Sequence, residues 1–130
     1  MSGGAIVVAV LVAGVAGFIA SGIYYTVLSD PLAAARSDDS IPQVRPWVYG
    51  VEFVRTLIIA AVLAGVASLA GIGSWLGGIA LGLALWLGFP FILWVGAIIH
   101  EGTRPTLAVI HAGDWLFKLV IIGVIVGALG

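Results

Sequence analysis

The segment HAGDWLFKLV, residues 111–120, sets Asp114 four residues before Lys118, with His111 a turn upstream. Acid before base at i, i+4 is the favourable order for an ion pair on a helix. His111, Asp114 and Lys118 would also share one helix face, by their i, i+3, i+7 spacing. Glu52 and Arg55 form a second acid–base couple. Groups of these types can hold or pass a proton, bind a small charged ligand, dock a charged helix of a partner, or clasp two helices in register. The clasp is the blandest of these and the one expected here.

Other chemistry is less well supported. His100, Glu101 and His111 are potential metal ligands, but HEGTRPTLAVIH spaces its two His eleven residues apart, where a zinc helix of the H-E-x-x-H type needs four. No metal and no cofactor is expected. With no Cys in the chain, thiolate nucleophiles and disulfides are excluded. There is no nucleophile triad, and the glycine-rich GIGSWLGG suits a tight turn better than a phosphate loop. The expectation is a non-enzyme. A formal net charge of −1 gives no reason to expect a nucleic-acid partner.

The elements that position these residues follow from composition. The chain is 62% hydrophobic and 8% charged, against about 25% charged in soluble domains. A chain of 130 residues could not bury that much apolar surface from water, so its solvent is lipid. A bilayer core takes roughly 20 helical residues. Four spans qualify, near 4–28, 47–70, 74–99 and 105–129. The first lacks the positive leader of a signal peptide and is expected to be retained. The fold class is thus an all-α integral membrane protein, one domain over 1–130, a four-helix bundle running up-down-up-down. Ser29-Asp30-Pro31 ends the first span, and 30–46 forms the substantial loop. Pro90 falls in mid-span and predicts a kink.

Charge placement predicts orientation. Arg36, Arg45 and Arg104 lie in the first and third loops and Arg55 just inside the second span, while the second loop and both ends carry no Lys or Arg. The positive-inside rule then puts the first and third loops in the cytoplasm and both termini outside, in a bacterial inner membrane. Tyr24, Tyr25, Trp47, Tyr49 and Trp115 would anchor the cytoplasmic interface, and Trp75 the outer one.

Depth makes the charges costly. At 1.5 Å per residue Asp114 lies about 13 Å along its helix from Pro105, and Lys118 about 20 Å. A central Asp or Lys costs roughly 2.5 to 3.5 kcal/mol on insertion. Glu52 and Arg55 enter from the same side at comparable depth. An interhelical network, Glu52 with Lys118 or Arg55 with Asp114, would offset the cost. Ser21, Tyr24, Tyr25, Thr26, Thr56, His100 and Glu101 add polarity to that half alone, which predicts a cytoplasm-facing vestibule above an apolar floor.

Helices in lipid associate through small residues. Ala5, Ala9, Ala13, Gly17 and Ser21 form a strict i, i+4 stripe, and Gly78, Gly82, Gly123 and Gly127 offer further close approaches. Packing within the bundle is the expected use; an oligomer interface is the alternative.

The stretches GIYYTVLSDPL, LGLALWLGFPF and HEGTRPTLAVIHAG, followed by a glycine-containing last span, resemble a family of small bacterial membrane proteins, the domain of unknown function seventeen-sixty-one. The resemblance covers nearly the whole chain. It implies four spans in one domain and no activity or catalytic residues. Members resembling this chain carry Asn at the place of His111 and Tyr at that of Asp114, which would make the Asp114/Lys118 pair particular to this protein. The function expected is a structural or accessory role, packing in the bilayer as a homo-oligomer or against a larger membrane protein. The alternative is a small homodimeric transporter with its vestibule at Asp114/Lys118.

Overall fold

The computed structural model describes residues 2–35 and 45–130, and among these it is helical with no strand. Arg36, Asp38 and Asp39, part of the first loop's charge, lie outside the described residues. Six helices form: α1 (Gly3–Val27), α2 (Ser29–Ala35), α3 (Pro46–Ala70), α4 (Trp75–Gly88), α5 (Pro90–Glu101) and α6 (Pro105–Leu129). Taken with α4 and α5 as one interrupted span, four of these are long and apolar enough to cross a membrane.

The ends obey local chemistry. The Ser2 and Ser74 hydroxyls accept from the N–H groups of Ala5 and Gly77 at 3.1 Å, capping α1 and α4. Proline opens α3, α5 and α6, where its missing N–H costs nothing. Gly71 closes α3 at φ 71°, and Ile72 N–H reaches back to Ala67 C=O at 2.9 Å. This left-handed residue is what turns the chain so tightly into α4. At Pro90 the helix breaks rather than merely bends, with Phe89 at φ −123°, ψ −78° between α4 and α5.

One expectation needs correction. The residues that end α1 also begin a helix, α2, at the start of the expected loop. Asp30 in its first turn suits the helix dipole, and Pro31 is compatible with a first turn.

α6 is the central element. It touches α1, α3, α4 and α5, whereas α3 and α5 do not meet and α1 reaches neither α4 nor α5. Glycine explains the centring. A Cβ on Gly78 would collide with the Gly123 carbonyl, one on Gly82 with the Leu119 carbonyl, and one on Gly127 with the Ser74 carbonyl. α4 and α6 therefore run antiparallel with backbones in contact. On the other side a Cβ on Gly17 would lie 3.0 Å from Thr56 and 3.1 Å from Ile122, so α1, α3 and α6 share one layer there. Of the predicted stripe, Ala9, Ala13 and Gly17 are buried, while Ala5 and Ser21 at its ends are half-buried. Gly78, Gly82, Gly123 and Gly127 are all buried within the fold.

Candidate functional site

The α1–α6 contact brings α1 hydroxyls onto the charged face of α6. Asp114 and Lys118 sit one turn apart with Lys118 Nζ 3.4 Å from Asp114 Oδ2, and each side chain is only 5% exposed. The other carboxylate oxygen, Oδ1, accepts from the Ser21 hydroxyl. Tyr25 donates to Oδ2 at 3.3 Å, and its hydroxyl oxygen also lies 2.8 Å from His111 Nδ1. A tyrosine has one proton to give. When Tyr25 gives it to Asp114, it accepts from His111, whose Nδ1 then carries the hydrogen. The result is a directed chain of donors, His111 to Tyr25 to Asp114, whose carboxylate also faces the Lys118 ammonium.

Aromatic rings wall this chain in. Trp94 of α5 stacks on His111 with centroids 5.0 Å apart and planes 15° apart. Lys118 Nζ lies 5.3 Å from the centre of the Trp115 ring, within cation–π range. Trp86 donates from Nε1 to the Ala112 carbonyl at 2.8 Å, tying α4 to α6 beside the pair. The Tyr24 hydroxyl donates to Ile110 C=O at 2.6 Å. It has room because residue 113 is glycine: a Cβ there would strike that hydroxyl.

The sequence-predicted cluster is therefore divided. His111, Asp114 and Lys118 come together as expected. Glu52 and Arg55 do not join them. They pair with each other on α3, with side chains 39% and 56% exposed respectively. Neither the Glu52–Lys118 nor the Arg55–Asp114 pairing forms. The reason is local: Thr56, not Arg55, is the α3 residue turned inward toward Gly17 and Ile122. Of the expected interfacial aromatics, Tyr24 and Tyr25 turn onto α6 and Trp115 lies along it, whereas Trp47, Tyr49 and Trp75 are exposed near helix ends. His100 and Glu101 are exposed at the end of α5.

Sequence reasoning missed Trp94, Trp86 and Gly113 as parts of the site. Only Gly113, immediately before the unexplained Asp114, offered a signal.

A cleft of about 770 Å³ opens between α1 and α3 in the polar half, lined among others by Ser21, Tyr25, Tyr49, Glu52 and Thr56. Ser21 and Tyr25 thus face the cleft and hold the Asp114 carboxylate. A second groove of about 600 Å³ lies between α3, α6 and the α4–α5 break, and its walls, such as Ile59, Leu63, Leu85 and Leu93, are apolar.

Four long apolar helices and an ion pair sealed between them define a helical integral membrane protein. Within that class, the chain belongs to the family described as Protein of unknown function (DUF1761), which matches residues 8–127. No curated protein and no solved structure matches the chain.

Proposed function

We propose that the protein is a non-enzymatic packing subunit of the bacterial plasma membrane, one that associates laterally with copies of itself or with a larger membrane protein. The observation that carries this reading is the asymmetry of the interior. One half holds the hydroxyls and charges. The other is closed by backbone contact of Gly78 with Gly123 and of Gly127 with Ser74. A solute path needs polar groups through the whole thickness, and this interior favours rigidity instead. The Asp114 carboxylate is engaged by Ser21, Tyr25 and Lys118, which suits a clasp better than a catalytic base. Native mass spectrometry of the tagged chain, extracted gently from its own membranes, should return a stoichiometric complex. A chain that is monomeric under every mild extraction would sink the reading.

The orientation proposed places Arg45 and Arg104 on the cytoplasmic side and both termini outside, by the positive-inside rule. A Ser2→Cys variant should react with an impermeant thiol reagent in intact cells; protection would invert the assignment.

A second reading, a small homodimeric transporter, is favoured by one observation: the α1–α3 cleft reaches the two hydroxyls that hold Asp114. It requires proton-dependent flux that disappears in Asp114→Asn.

A further inference from the structure

We propose that the outer face of α3 is the contact surface for a second copy of this chain, with Glu52 and Arg55 of each copy pairing reciprocally with Arg55 and Glu52 of the other. The proposal rests on the packing role above and specifies its partner.

Depth is the first argument. Gly17, Thr56 and Ile122 meet in one layer. Measured at 1.5 Å per residue, that layer lies about 15 Å from the Pro46 end of α3 and about 21 Å from its Ala70 end. Arg55 stands beside Thr56, so its backbone is near the middle of the span. Its side chain leans toward the helix amino end and meets Glu52, about 9 Å along the axis from Pro46. The pair therefore lies within the hydrocarbon zone.

Exposure is the second. Ionisable residues at such depth face a bundle interior or a wet cavity. Asp114 and Lys118 do so, at 5% exposure each. Arg55, 56% exposed, does not. Glu52 borders the α1–α3 cleft, but Arg55 is outside that lining. Around it α3 presents Val51, Val54, Ile58 and Val62, all exposed. An ion pair set in an apolar helix face at this depth is what an interface with another membrane helix would cover.

Complementarity selects the partner. The patch is one acid and one base a turn apart, with no net charge, so it neither attracts nor repels by sign. Two copies inserted the same way are related by a two-fold axis along the membrane normal, which makes the contact isologous. Glu52 of one copy then stands about 4.5 Å in height from Arg55 of the other, a gap an arginine spans. A carboxylate has about four acceptor positions and a guanidinium five donors. Each group can therefore keep its intrahelical partner and gain one across the axis, giving a closed ring of four charges. Gly65, with open space where its Cβ would be, lies three turns along and lets the backbones approach.

The chain's lack of cysteine makes the test clean. Ile58→Cys and Val62→Cys, cross-linked in native membranes with a short bis-maleimide, should give a dimer-sized adduct, while Leu83→Cys on α4 should not. In the Ile58→Cys background, Glu52→Gln or Arg55→Gln should lower the adduct by about tenfold or more, the scale of losing one desolvated ion partner. The exchanged double variant E52R/R55E keeps the reciprocity and should restore it, which separates lost pairing from lost folding. Equal cross-linking through Leu83→Cys, or charge variants without effect on the adduct, would overturn the proposal. An α3 adduct with a different protein would overturn the second copy but leave the packing role standing. No adduct from any of the three sites would overturn both.

Discussion

The molecule carries two acid–base pairs built alike and placed alike along their helices, yet environments could hardly differ more. In α6, Asp114 precedes Lys118 by four residues and both are buried. In α3, Glu52 precedes Arg55 by three and both stand on the surface. The difference lies in how many helices surround each one. α6 is enclosed because glycines at 78, 82, 123 and 127 bring α4 to its backbone on one flank while α1 supplies hydroxyls on another. Among the described residues α3 meets α1, α6 and, beyond the tight turn, α4, and none of these covers the face that carries Glu52 and Arg55. The spacing of charges sets which of them can pair; the packing around the helix sets what the pair is worth.

The comparison is most exposed to failure at Lys118. Lys118→Met leaves the Asp114 carboxylate buried beside Ser21 and Tyr25 without its cation. The expected loss is about 3 to 5 kcal/mol of stability, read by reversible unfolding in mixed detergent micelles. Asp114→Asn combined with Lys118→Met should recover most of it, because a neutral pair carries no uncompensated charge. A loss under about 1 kcal/mol for Lys118→Met alone would mean the pair is wetter than its burial indicates.

Next in size are the glycines that create the difference in surroundings. Gly78→Ala drives a methyl into the Gly123 carbonyl, and two backbones must separate. Overpacking of this kind costs about 1 to 3 kcal/mol. In the solubilised monomer Gly65→Ala, on the open face of α3, should be neutral or stabilise by up to about 1 kcal/mol through helix propensity. Equal effects at the two sites would show that α4 and α6 are not in backbone contact.

Tyr25→Phe probes the hydroxyl side of the α6 pair. It removes the donor to Asp114 and the link to His111 while keeping the ring. Hydrogen bonds between membrane helices average about 0.6 kcal/mol and reach about 1.7. The upper part of that range is expected here, since the acceptor is a charged carboxylate. A shift in the His111 ring resonances should accompany it, and unchanged resonances would remove His111 from the chain of donors.

Much of this is legible in the sequence. The four apolar runs stand as helices as the sequence predicts, and the kink expected at Pro90 is sharper still, a break between α4 and α5. The Asp114/Lys118 pair was legible because charge in a membrane span is costly and needs a partner. Which helix faces inward was far less so. In lipid, an apolar side chain gains little by turning inward, so periodicity in hydropathy carries almost no signal about facing. That is why Glu52 and Arg55 could be assigned to a network between helices, when the structure leaves them on the outer face of α3. Only small residues and hydrogen-bonding groups report on facing here. Even they left Trp94 unforeseen, because an aromatic in a span stacks on a histidine or faces lipid with the same local sequence.

The smallest expected effect is also the one that sharpens the comparison most. Arg55→Gln in a detergent-solubilised monomer removes a cation whose carboxylate partner is open to solvent. Exposed pairs of this kind contribute about 0.2 to 1 kcal/mol, and a helical i, i+3 pair lies near the low end. Unfolding of the monomer should therefore move little, several times less than for Lys118→Met. In the bilayer the same substitution removes one of the four charges of the ring between copies. The two environments should then disagree: near silence in micelles that separate the copies, and a clear loss of the α3 adduct in native membranes. A large effect in the monomer would place Arg55 inside the fold, with Asp114 and Lys118, and erase the distinction between the two pairs. A small effect in both settings would make the α3 pair an ornament of a surface that only lipid touches.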